Sequence, residues 1–260
     1  MRVLIVTNMY PTPENPKAGT FIEQQINSLT NAGVTNRVVL IDRANHGMSQ
    51  YLKTASVVKR ACAEFQPDLV HVMYGGLLAA MAVNVIRDCP RIVSFCGVDL
   101  LGADYGTLRY RIRTWLGVRA SRFAARRYNG IIVKSMNLFR GLPEEVCEEM
   151  VRIVPNGVCL DRFRPMNMAT CRRELGWDAE KFIILFSTAN RNNVKKRLPL
   201  AEKAVQILLD RGLNVEIKGL NKVAHDKVAV WINAADMTLM TSRADEGSPN
   251  IIKETLACDK

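Results

Sequence analysis

The chain has 260 residues, of which 48% are hydrophobic, and a formal net charge of +11 at pH 7. This length accommodates one or two domains with buried cores. The sequence lacks low-complexity tracts and long linkers, and this predicts that each domain is ordered. The seven cysteines are an odd number and the N-terminus lacks a signal-peptide pattern, which argues against a disulfide framework. We therefore expect reduced thiols in a cytoplasmic protein.

The N-terminal part of the sequence alternates between strand and helix patterns. Residues 2–7 form a continuous apolar run, which is typical of a buried parallel strand. A loop with three prolines, 10–19, leads to a match to a helix capping box at 20–23. This alternation predicts a parallel sheet covered on both faces. Further strands are predicted at 37–41, 69–73, 91–95, 130–133 and 151–154, and helices at 54–65, 77–87 and 107–128.

A second strand and helix series begins at 181–186, and residues 236–241 read as a short buried strand. Glu246-Gly247-Ser248-Pro249-Asn250 follows this strand. Ser248 and Pro249 have the side chains expected at the N-cap and the first position of a helix. The free backbone N–H groups of Gly247 to Asn250 would then point at an anion, at the carboxyl end of a strand where open α/β sheets bind ligands.

The run from Glu246 to Asn250, together with Glu254, resembles the donor-site signature of the family 4 glycosyltransferases. These are retaining, nucleotide-sugar-dependent enzymes of the GT-B fold. The resemblance implies an α/β protein with two Rossmann-like parallel-sheet domains facing a cleft. Residues 1–160 would form the acceptor-side domain and 165–260 the nucleotide-sugar donor domain. Only about three strands are predicted in the latter, so we expect it to be partial. From the spacing alone, a capped surface helix with two solvated glutamates remains open.

The resemblance also implies a basic pair that grips the donor diphosphate. Arg191 and Lys196 stand at the family spacing, with Lys195 as the alternative in a register shifted by one residue. Charge-assisted contacts of this kind hold a diphosphate and stabilise it as a leaving group. The alternative is a solvated basic loop.

The resemblance also implies roles for the glutamates and glycines of these motifs. Glu246 would orient the donor sugar and Glu254 would hold the ribose. Gly19 would let its loop approach the donor phosphates, although a simple turn glycine fits the sequence equally well. The expected catalytic residues are therefore Glu246, Arg191 and Lys196, and the expected donor-binding residues are Gly19, Gly247, Ser248, Pro249, Asn250 and Glu254.

One turn departs from the family pattern. Ser94 to Asp99 resembles a histidine-glycine-x-aspartate turn whose histidine contacts the donor sugar, and this makes Cys96, Gly97 and Asp99 a candidate sugar-contact turn. Cys96 occupies the histidine position. A thiol cannot carry the positive charge or make the same hydrogen bonds, which puts the sugar contact and full activity in question. A small buried thiol is the commoner role of such a cysteine.

The sequence lacks the motifs of metal-binding and dinucleotide-binding enzymes. The sequence has no Asp-x-Asp motif and no histidine or cysteine pairs at metal-ligand spacing, so we expect no protein-held metal and no cofactor. The glycine triad of a dehydrogenase is also missing. The expected function is metal-independent transfer of a sugar from a UDP- or GDP-linked donor to a hydroxyl of a glycan or lipid-linked acceptor, in glycan or cell-envelope polysaccharide biosynthesis.

Seven arginines lie between Arg109 and Arg127, interleaved with apolar residues. A basic amphipathic helix can lie on an anionic membrane, so we expect peripheral attachment to the inner face of the cell membrane. An ordinary core helix with a solvated arginine face is the alternative. No nucleic-acid partner is expected, because stacking motifs and a recognition helix are missing. Two other functions stay open: a non-catalytic GT-B fragment acting as a membrane-surface or interaction module, and a basic nucleic-acid-binding protein.

Overall fold

The computed structural model describes residues 1–16, 18–42, 47, 49–188, 193–221, 223–243 and 246–260. The chain divides into two compact units, Met1–Gly157 with Asp245–Ser248 and Val158–Ala244 with Pro249–Lys260. Each unit contains a parallel β-sheet, and this confirms the α/β class predicted from the sequence.

The first unit contains a six-stranded parallel sheet in the order β2-β1-β3-β4-β5-β6. Helices connect most of its successive strands, as parallel pairing requires. A short 3₁₀ turn, Glu148–Met150, precedes the last strand. The elements are β1 (Arg2–Thr7), α1 (Thr20–Asn31), β2 (Thr35–Leu40), α2 (Ser49–Phe65), β3 (Leu69–Met73), α3 (Gly76–Ala82), β4 (Arg91–Phe95), α4 (Val98–Leu101), α5 (Leu108–Ala125), β5 (Gly130–Val133), α6 (Met136–Arg140) and β6 (Val151–Ile153).

Strand β1 shows why this sheet is buried on both faces. Successive side chains of a strand point to opposite faces. Leu4 and Val6 belong to the large core on one face of the sheet. Val3 and Ile5 pack with Ile22 of α1 in a second cluster. An unbroken apolar run is therefore what this strand requires, and its sequence supplies one.

The second unit has a three-stranded parallel sheet in the order β8-β7-β9 among the described residues. Its central strand is buried from its second residue onward, because Ile183 and Leu185 pack in one apolar cluster while Ile184 and Phe186 pack in others. A 3₁₀ turn, His225–Lys227, comes immediately before its third helix. The elements are α7 (Met168–Leu175), β7 (Phe182–Phe186), α8 (Leu198–Asp210), β8 (Val215–Gly219), α9 (Val228–Ala234), β9 (Met237–Leu239) and α10 (Asn250–Ala257).

The observed boundaries agree with the predicted strands at 69–73, 91–95 and 130–133. Strand β2 begins earlier than predicted, at Thr35, because its pairing with β1 starts at Arg2. The helix predicted at 77–87 ends at Ala82. The helix predicted at 54–65 begins at Ser49, which places the buried Tyr51 inside it.

Both predicted helix caps were displaced by one residue. Gly19, not Thr20, precedes α1, and its φ of +67° favours glycine. A Cβ at Gly19 would also lie 2.6 Å from the Met9 carbonyl oxygen. At α10 the N-cap is Pro249, not Ser248, and no side chain caps the helix. The ψ of 119° at Pro249 is extended, so this residue remains outside the helix although proline's fixed φ would suit a first turn.

A buried ion pair joins α7 to the second sheet. The Arg172 side chain is 7% exposed, and its Nη2 lies 2.6 Å from Asp236 Oδ2. Arg172 Nε also donates to the Ala234 carbonyl at 2.9 Å. Asp236 Oδ2 in turn accepts the backbone N–H of Ile183, the second residue of β7, at 2.6 Å. This network therefore links α7 to the residues that precede β9, and it links those residues to β7.

We predict that Arg172→Met destabilises the second unit by about 3 kcal/mol, because it leaves the Asp236 carboxylate partly buried without its cation. The measurement is urea unfolding followed by the fluorescence of Trp177 and Trp231, which stack edge to face in this unit with ring centroids 5.1 Å apart.

Lys227→Met is the matched control. It breaks the pair between Lys227 and Glu174, whose side chains are 55% and 44% exposed. A solvent-exposed pair of this kind contributes about 1 kcal/mol or less. Equal destabilisation by the two substitutions would contradict a special role for the buried pair.

Candidate functional site

The carboxyl edge of the second sheet brings two predicted segments together. Strands β7 and β9 are neighbours, so the loops that follow them leave the sheet side by side. Thr241 Oγ1 donates to the Lys196 carbonyl at 2.7 Å. The backbone N–H of Arg243 donates to the Lys195 carbonyl at 3.3 Å. The basic loop is thus bonded to the segment that leads toward Glu246, whereas Arg191 lies outside the described residues.

Glu254 is a buried carboxyl group on α10, with 8% of its surface exposed. Burial raises the pKa of Glu254 to about 7, and the positive charges of Lys253 and Arg162 oppose this shift. Near neutral pH the group therefore exists in both protonation states. The protonated form can donate a hydrogen bond, and the ionised form can accept two hydroxyl donors.

The remaining predicted donor residues lie around the start of α10. Ser248, Pro249 and Asn250 are half-buried, and Asn250 is the first helical residue. The first-turn N–H groups of a helix lack intrahelical partners and carry its positive dipole end. This end of α10 follows the carboxyl end of β9, the side of a parallel sheet where ligands bind.

Asp99 organises the candidate sugar-contact turn from inside. It is 5% exposed, and its carboxylate accepts backbone N–H groups of Gly75 at 2.8 Å, Gly97 at 2.7 Å and Cys96 at 3.1 Å. Burial raises the pKa of Asp99, and these hydrogen bonds oppose the rise. The carboxylate is thus engaged by the protein's own backbone. Burial also raises the pKa of the Cys96 thiol, which keeps it neutral at physiological pH.

Gly247 approaches the same turn at very short range. A Cβ at Gly247 would overlap the Cys96 carbonyl oxygen and lie 2.7 Å from Leu138 Cδ1. The segment Asp245–Ser248 belongs to the first unit, as Cys96 does. The structure thus joins two motifs that the sequence showed separately, and it supplies a packing reason for glycine at this position.

Sequence reasoning missed a cavity of about 490 Å³ in the first unit. It lies at the carboxyl ends of β1 to β4, where the strand order of the sheet changes direction between β1 and β3. Such a switch point is the usual ligand site of an open α/β sheet. One signal was present in the sequence, because Asn8 and Tyr74 directly follow predicted strands. The chain has six tyrosines, and four of them line the cavity: Tyr10, Tyr51, Tyr74 and Tyr110.

Helix α5 exposes the apolar residues that the sequence interleaves with arginines. Trp115 is 57% exposed and Leu108 70% exposed. Arg119 stacks over the Trp115 ring at 5.1 Å, and Arg127 over Phe123 at 3.7 Å. These contacts are cation–π interactions. Helix α5 thus has a solvated arginine face and a buried face with Ala124 and Ala125, and large apolar side chains are exposed among its arginines.

The described residues provide neither a bilayer-spanning helix nor a metal centre of the usual type. No helix among them has both the length and the apolar character needed to cross a membrane. In the same parts of the chain, no group of three or more His, Cys, Asp or Glu side chains is arranged to hold a metal ion.

Residues 1–162 match the family model of Glycosyltransferase Family 4. The chain belongs to this family. This agrees with the resemblance carried by the motif from Glu246 to Glu254, although that motif lies outside the matched residues. None of the curated proteins compared with the chain matches it.

Solved structures with the same fold belong to enzymes of more than one activity. Sucrose-phosphate synthase from Thermosynechococcus elongatus aligns with a TM-score of 0.74 and 14% identity, over 99% of this chain and 79% of its own. HepE of Anabaena, in complex with UDP and glucose, aligns with a TM-score of 0.60 and 14% identity, over 100% and 79%. UDP-GlcNAc 2-epimerase from Methanocaldococcus jannaschii aligns with 0.57 and 13%, over 99% and 82%. These likenesses confirm the predicted GT-B fold and, at such identities, the fold alone.

The raised pKa of Glu254 predicts a pH-dependent stability. The folded state holds this proton up to about pH 7, whereas an unfolded glutamate releases it near 4.5. The resulting stabilisation is complete below the unfolded value and is lost as the pH rises through 7. As the pH rises from 5 to 8, the free energy of unfolding of the unsubstituted protein should therefore fall by about 2.5 kcal/mol more than that of the Glu254→Gln variant. The measurement is urea unfolding at both pH values.

The two proteins share every other titrating group, so those contributions cancel in the comparison. Parallel pH profiles for the two would show that Glu254 is already ionised in the folded state, contrary to its burial.

Proposed function

We propose that this protein transfers a sugar, with retention of anomeric configuration, from a UDP- or GDP-linked donor to a hydroxyl acceptor in glycan or cell-envelope polysaccharide assembly on the cytoplasmic side of the membrane. Membership of Glycosyltransferase Family 4 supports transferase activity. The structural neighbour HepE, described in complex with UDP and glucose, supports a nucleotide-sugar donor. The observation that carries the proposal for this chain is the hydrogen bond from Thr241, after β9, to the Lys196 carbonyl, after β7. It supports a basic loop bonded to the segment that precedes the glutamate motif in the sequence.

In the proposed reaction the bond between the anomeric carbon and the donor diphosphate breaks with both electrons on the departing oxygen. The acceptor oxygen forms the new bond from the same face, and its proton passes to the departing diphosphate. Lys196, with Arg191, would stabilise the charge that develops on the diphosphate. Glu246 would orient the sugar and Glu254 would accept the ribose hydroxyls. This scheme uses neither a protein base nor a metal ion, so transfer should continue in EDTA.

A non-catalytic module is the second candidate, and Cys96 favours it. The thiol at this turn is neutral because burial raises its pKa, so it cannot supply the charge of an imidazolium. Isothermal titration with nucleotides distinguishes the two functions, since a transferase would bind UDP or GDP whereas the module would bind neither. Binding of an oligonucleotide in preference to UDP and GDP would contradict both.

We predict that Glu254→Ala weakens binding of UDP or GDP by about tenfold to a hundredfold, since a charge-assisted contact contributes roughly 1.5 to 3 kcal/mol. Isothermal titration of the full chain measures this change. The Glu254-dependent part of the affinity should also grow as the pH rises from 6 to 8, because only the ionised carboxylate accepts both ribose hydroxyls.

Two variants control for other causes. Glu254→Gln keeps the size of the side chain but should show no pH-dependent gain beyond that of the nucleotide itself. Glu202→Ala removes a half-buried glutamate from α8, and it should leave the affinity unchanged. If Glu254→Ala binds both nucleotides as tightly as the unsubstituted protein, the ribose assignment is wrong.

We further propose that α5 attaches the protein to an anionic membrane surface. The five arginines of α5 and the two that follow it, Arg126 and Arg127, are all exposed, and exposed apolar side chains lie among them. Arginines attract anionic headgroups, while Trp and Leu side chains enter the interfacial region. This combination supports a lipid-facing role better than the arginines alone.

We predict co-sedimentation with phosphatidylglycerol vesicles at low salt and little binding to phosphatidylcholine vesicles. Each arginine near such a surface contributes about 1 kcal/mol. Binding should fall as the Debye length shortens from ~10 Å at 0.1 M to ~3 Å at 1 M salt. The variant Arg109→Glu, Arg111→Glu, Arg122→Glu should lose most of its binding, and none of these residues lines the cavity of the first unit.

The control variant makes the same change in net charge on other exposed surfaces, at Arg60, Arg87 and Arg173. It should retain most vesicle binding. Equal loss in both variants would indicate a general charge effect, and no binding by the unsubstituted protein would refute the membrane proposal.

A further inference from the structure

The buried hydroxyl of Ser121 joins α5 to two other segments at the carboxyl edge of the first sheet. Ser121 has no exposed surface. Its Oγ donates to the Asp99 carbonyl at 2.5 Å and accepts the Gly76 N–H at 2.6 Å. A serine hydroxyl has one donor and two acceptor positions, so it can make both contacts at once. Helix α5 is therefore bonded to α4, which contains Asp99, and to the chain that follows β3.

Asp99 extends these contacts through its own carboxylate. The carboxylate accepts the N–H groups of Gly75 at 2.8 Å, Cys96 at 3.1 Å and Gly97 at 2.7 Å. Hydrogen bonds to an ionised acceptor are stronger than those between neutral groups. Ser121 and Asp99 thus form one clamp, which holds the loop after β3 and the turn after β4 against α5.

The loop inside this clamp is closely packed. A Cβ at Gly75 would lie 2.5 Å from Ser121 Oγ and 2.7 Å from the Phe95 ring. The φ angles on either side are +97° at Tyr74 and +72° at Gly76, and the value at tyrosine is an outlier for a bulky residue. Such a conformation persists only where the surrounding contacts determine it. Loss of the Ser121 hydroxyl should therefore displace the clamped segments.

The turn that the clamp holds also supports the glutamate motif. A Cβ at Gly247 would overlap the Cys96 carbonyl oxygen, so Gly247 rests directly on the backbone that Asp99 holds. Glu246 is the next residue in the chain, and both glutamate-motif residues belong to the same unit as the clamp. Close-packed interiors transmit displacements between neighbours. The position of Glu246 therefore depends on contacts that begin at α5.

We propose that Ser121 is a positioning residue for sugar transfer. Through Asp99 it sets the place of the turn on which Gly247 rests, and it thereby sets the place of Glu246 toward the donor sugar. The part of this proposal that concerns transfer rests on the proposed function. Positioning of the motif does not, and it can be measured without substrate.

The kinetic test uses the full chain and measures release of UDP from UDP-glucose and UDP-N-acetylglucosamine, and of GDP from GDP-mannose, with water as the acceptor. The water oxygen forms the bond to the anomeric carbon, the bond to the diphosphate breaks, and a proton of the water passes to the departing diphosphate. Ser121→Ala should lower kcat about tenfold to a hundredfold, because small displacements of groups near the reacting atoms are costly. The Kd of UDP or GDP should stay unchanged, since the proposed nucleotide contacts, Lys196 and Glu254, belong to the second unit.

Two further variants separate positioning from folding. Alanine fills no more space than serine and favours a helix, so Ser121→Ala should leave α5 intact. Asp99→Asn replaces an acceptor oxygen by a donor, which disrupts the clamp at its other member and should give the same pattern. Tyr128→Phe removes another buried hydroxyl of the first unit, one that donates to the Ala79 carbonyl at 3.0 Å. It should lower the melting temperature as Ser121→Ala does but leave kcat unchanged.

Amide hydrogen exchange of the unliganded protein measures the positioning directly. In Ser121→Ala, exchange should become about tenfold faster in residues 74–76, 96–99 and 246–250, because local opening of the clamped segments costs less. Exchange in β1 should not change. In Tyr128→Phe, exchange in 246–250 should match that of the unsubstituted protein.

The outcomes distinguish this proposal from the transferase proposal. Unchanged exchange in 246–250 or unchanged kcat in Ser121→Ala, or an equal loss of kcat in Tyr128→Phe, would overturn the positioning role and leave the transferase proposal standing. Failure of the unsubstituted protein to bind UDP and GDP would overturn the transferase proposal instead. In that case, or where none of the three donors is turned over, exchange in 246–250 decides. A response to Ser121→Ala alone supports the positioning of the motif, and no response overturns it.

Discussion

Burial of a parallel sheet on both faces determines where this protein can place polar chemistry. Neighbouring strands of the first sheet pair through their backbones, and the side chains of β1 are apolar on both faces, as Leu4 and Ile5 illustrate. Functional side chains must therefore come from the residues that follow the strands. Asn8 follows β1, Tyr74 follows β3 and Cys96 follows β4. The cavity of the first unit and the turn from Cys96 to Asp99 are both consequences of this restriction.

Several polar groups in the core of the first unit are hydrogen-bonded or have pKa values shifted toward their neutral forms. His71 of β3 hydrogen-bonds Ser94 of β4 at 2.7 Å, and burial, with the charge of Lys134, lowers its pKa to about 3. Burial likewise lowers the pKa of Lys134. Asp99 is held by three backbone N–H groups. In this setting a thiol at Cys96 requires no compensating charge. A thiol, unlike an imidazole, cannot take up a positive charge at this position.

The two units use the same edge of a parallel sheet in different ways. The first unit has a preformed hollow with aromatic walls beside β1 and β3. The second presents charge: Lys195 and Lys196 follow β7, and Glu254 lies on the helix that follows β9. An aromatic hollow suits an uncharged ligand, whereas cations and a helix N-terminus suit a phosphate. This difference follows from the residues placed after the strands, because the sheets themselves are alike in being parallel.

The sequence by itself determined the α/β class, most strand positions and the family. Apolar runs and the motif from Glu246 to Glu254 are local patterns, so they can be recognised without knowledge of the fold. Only the tertiary structure decided the rest. The start of α10 depended on the extended ψ at Pro249. The raised pKa of Glu254 depended on the burial of its carboxyl group. The exposure of Trp115 depended on which face of α5 packs in the core, since the helix buries Ala124 and Ala125 but not Trp115. Burial, and the pKa values and cavities that result from it, arise from contacts between residues far apart in the chain, which periodicity and spacing do not encode.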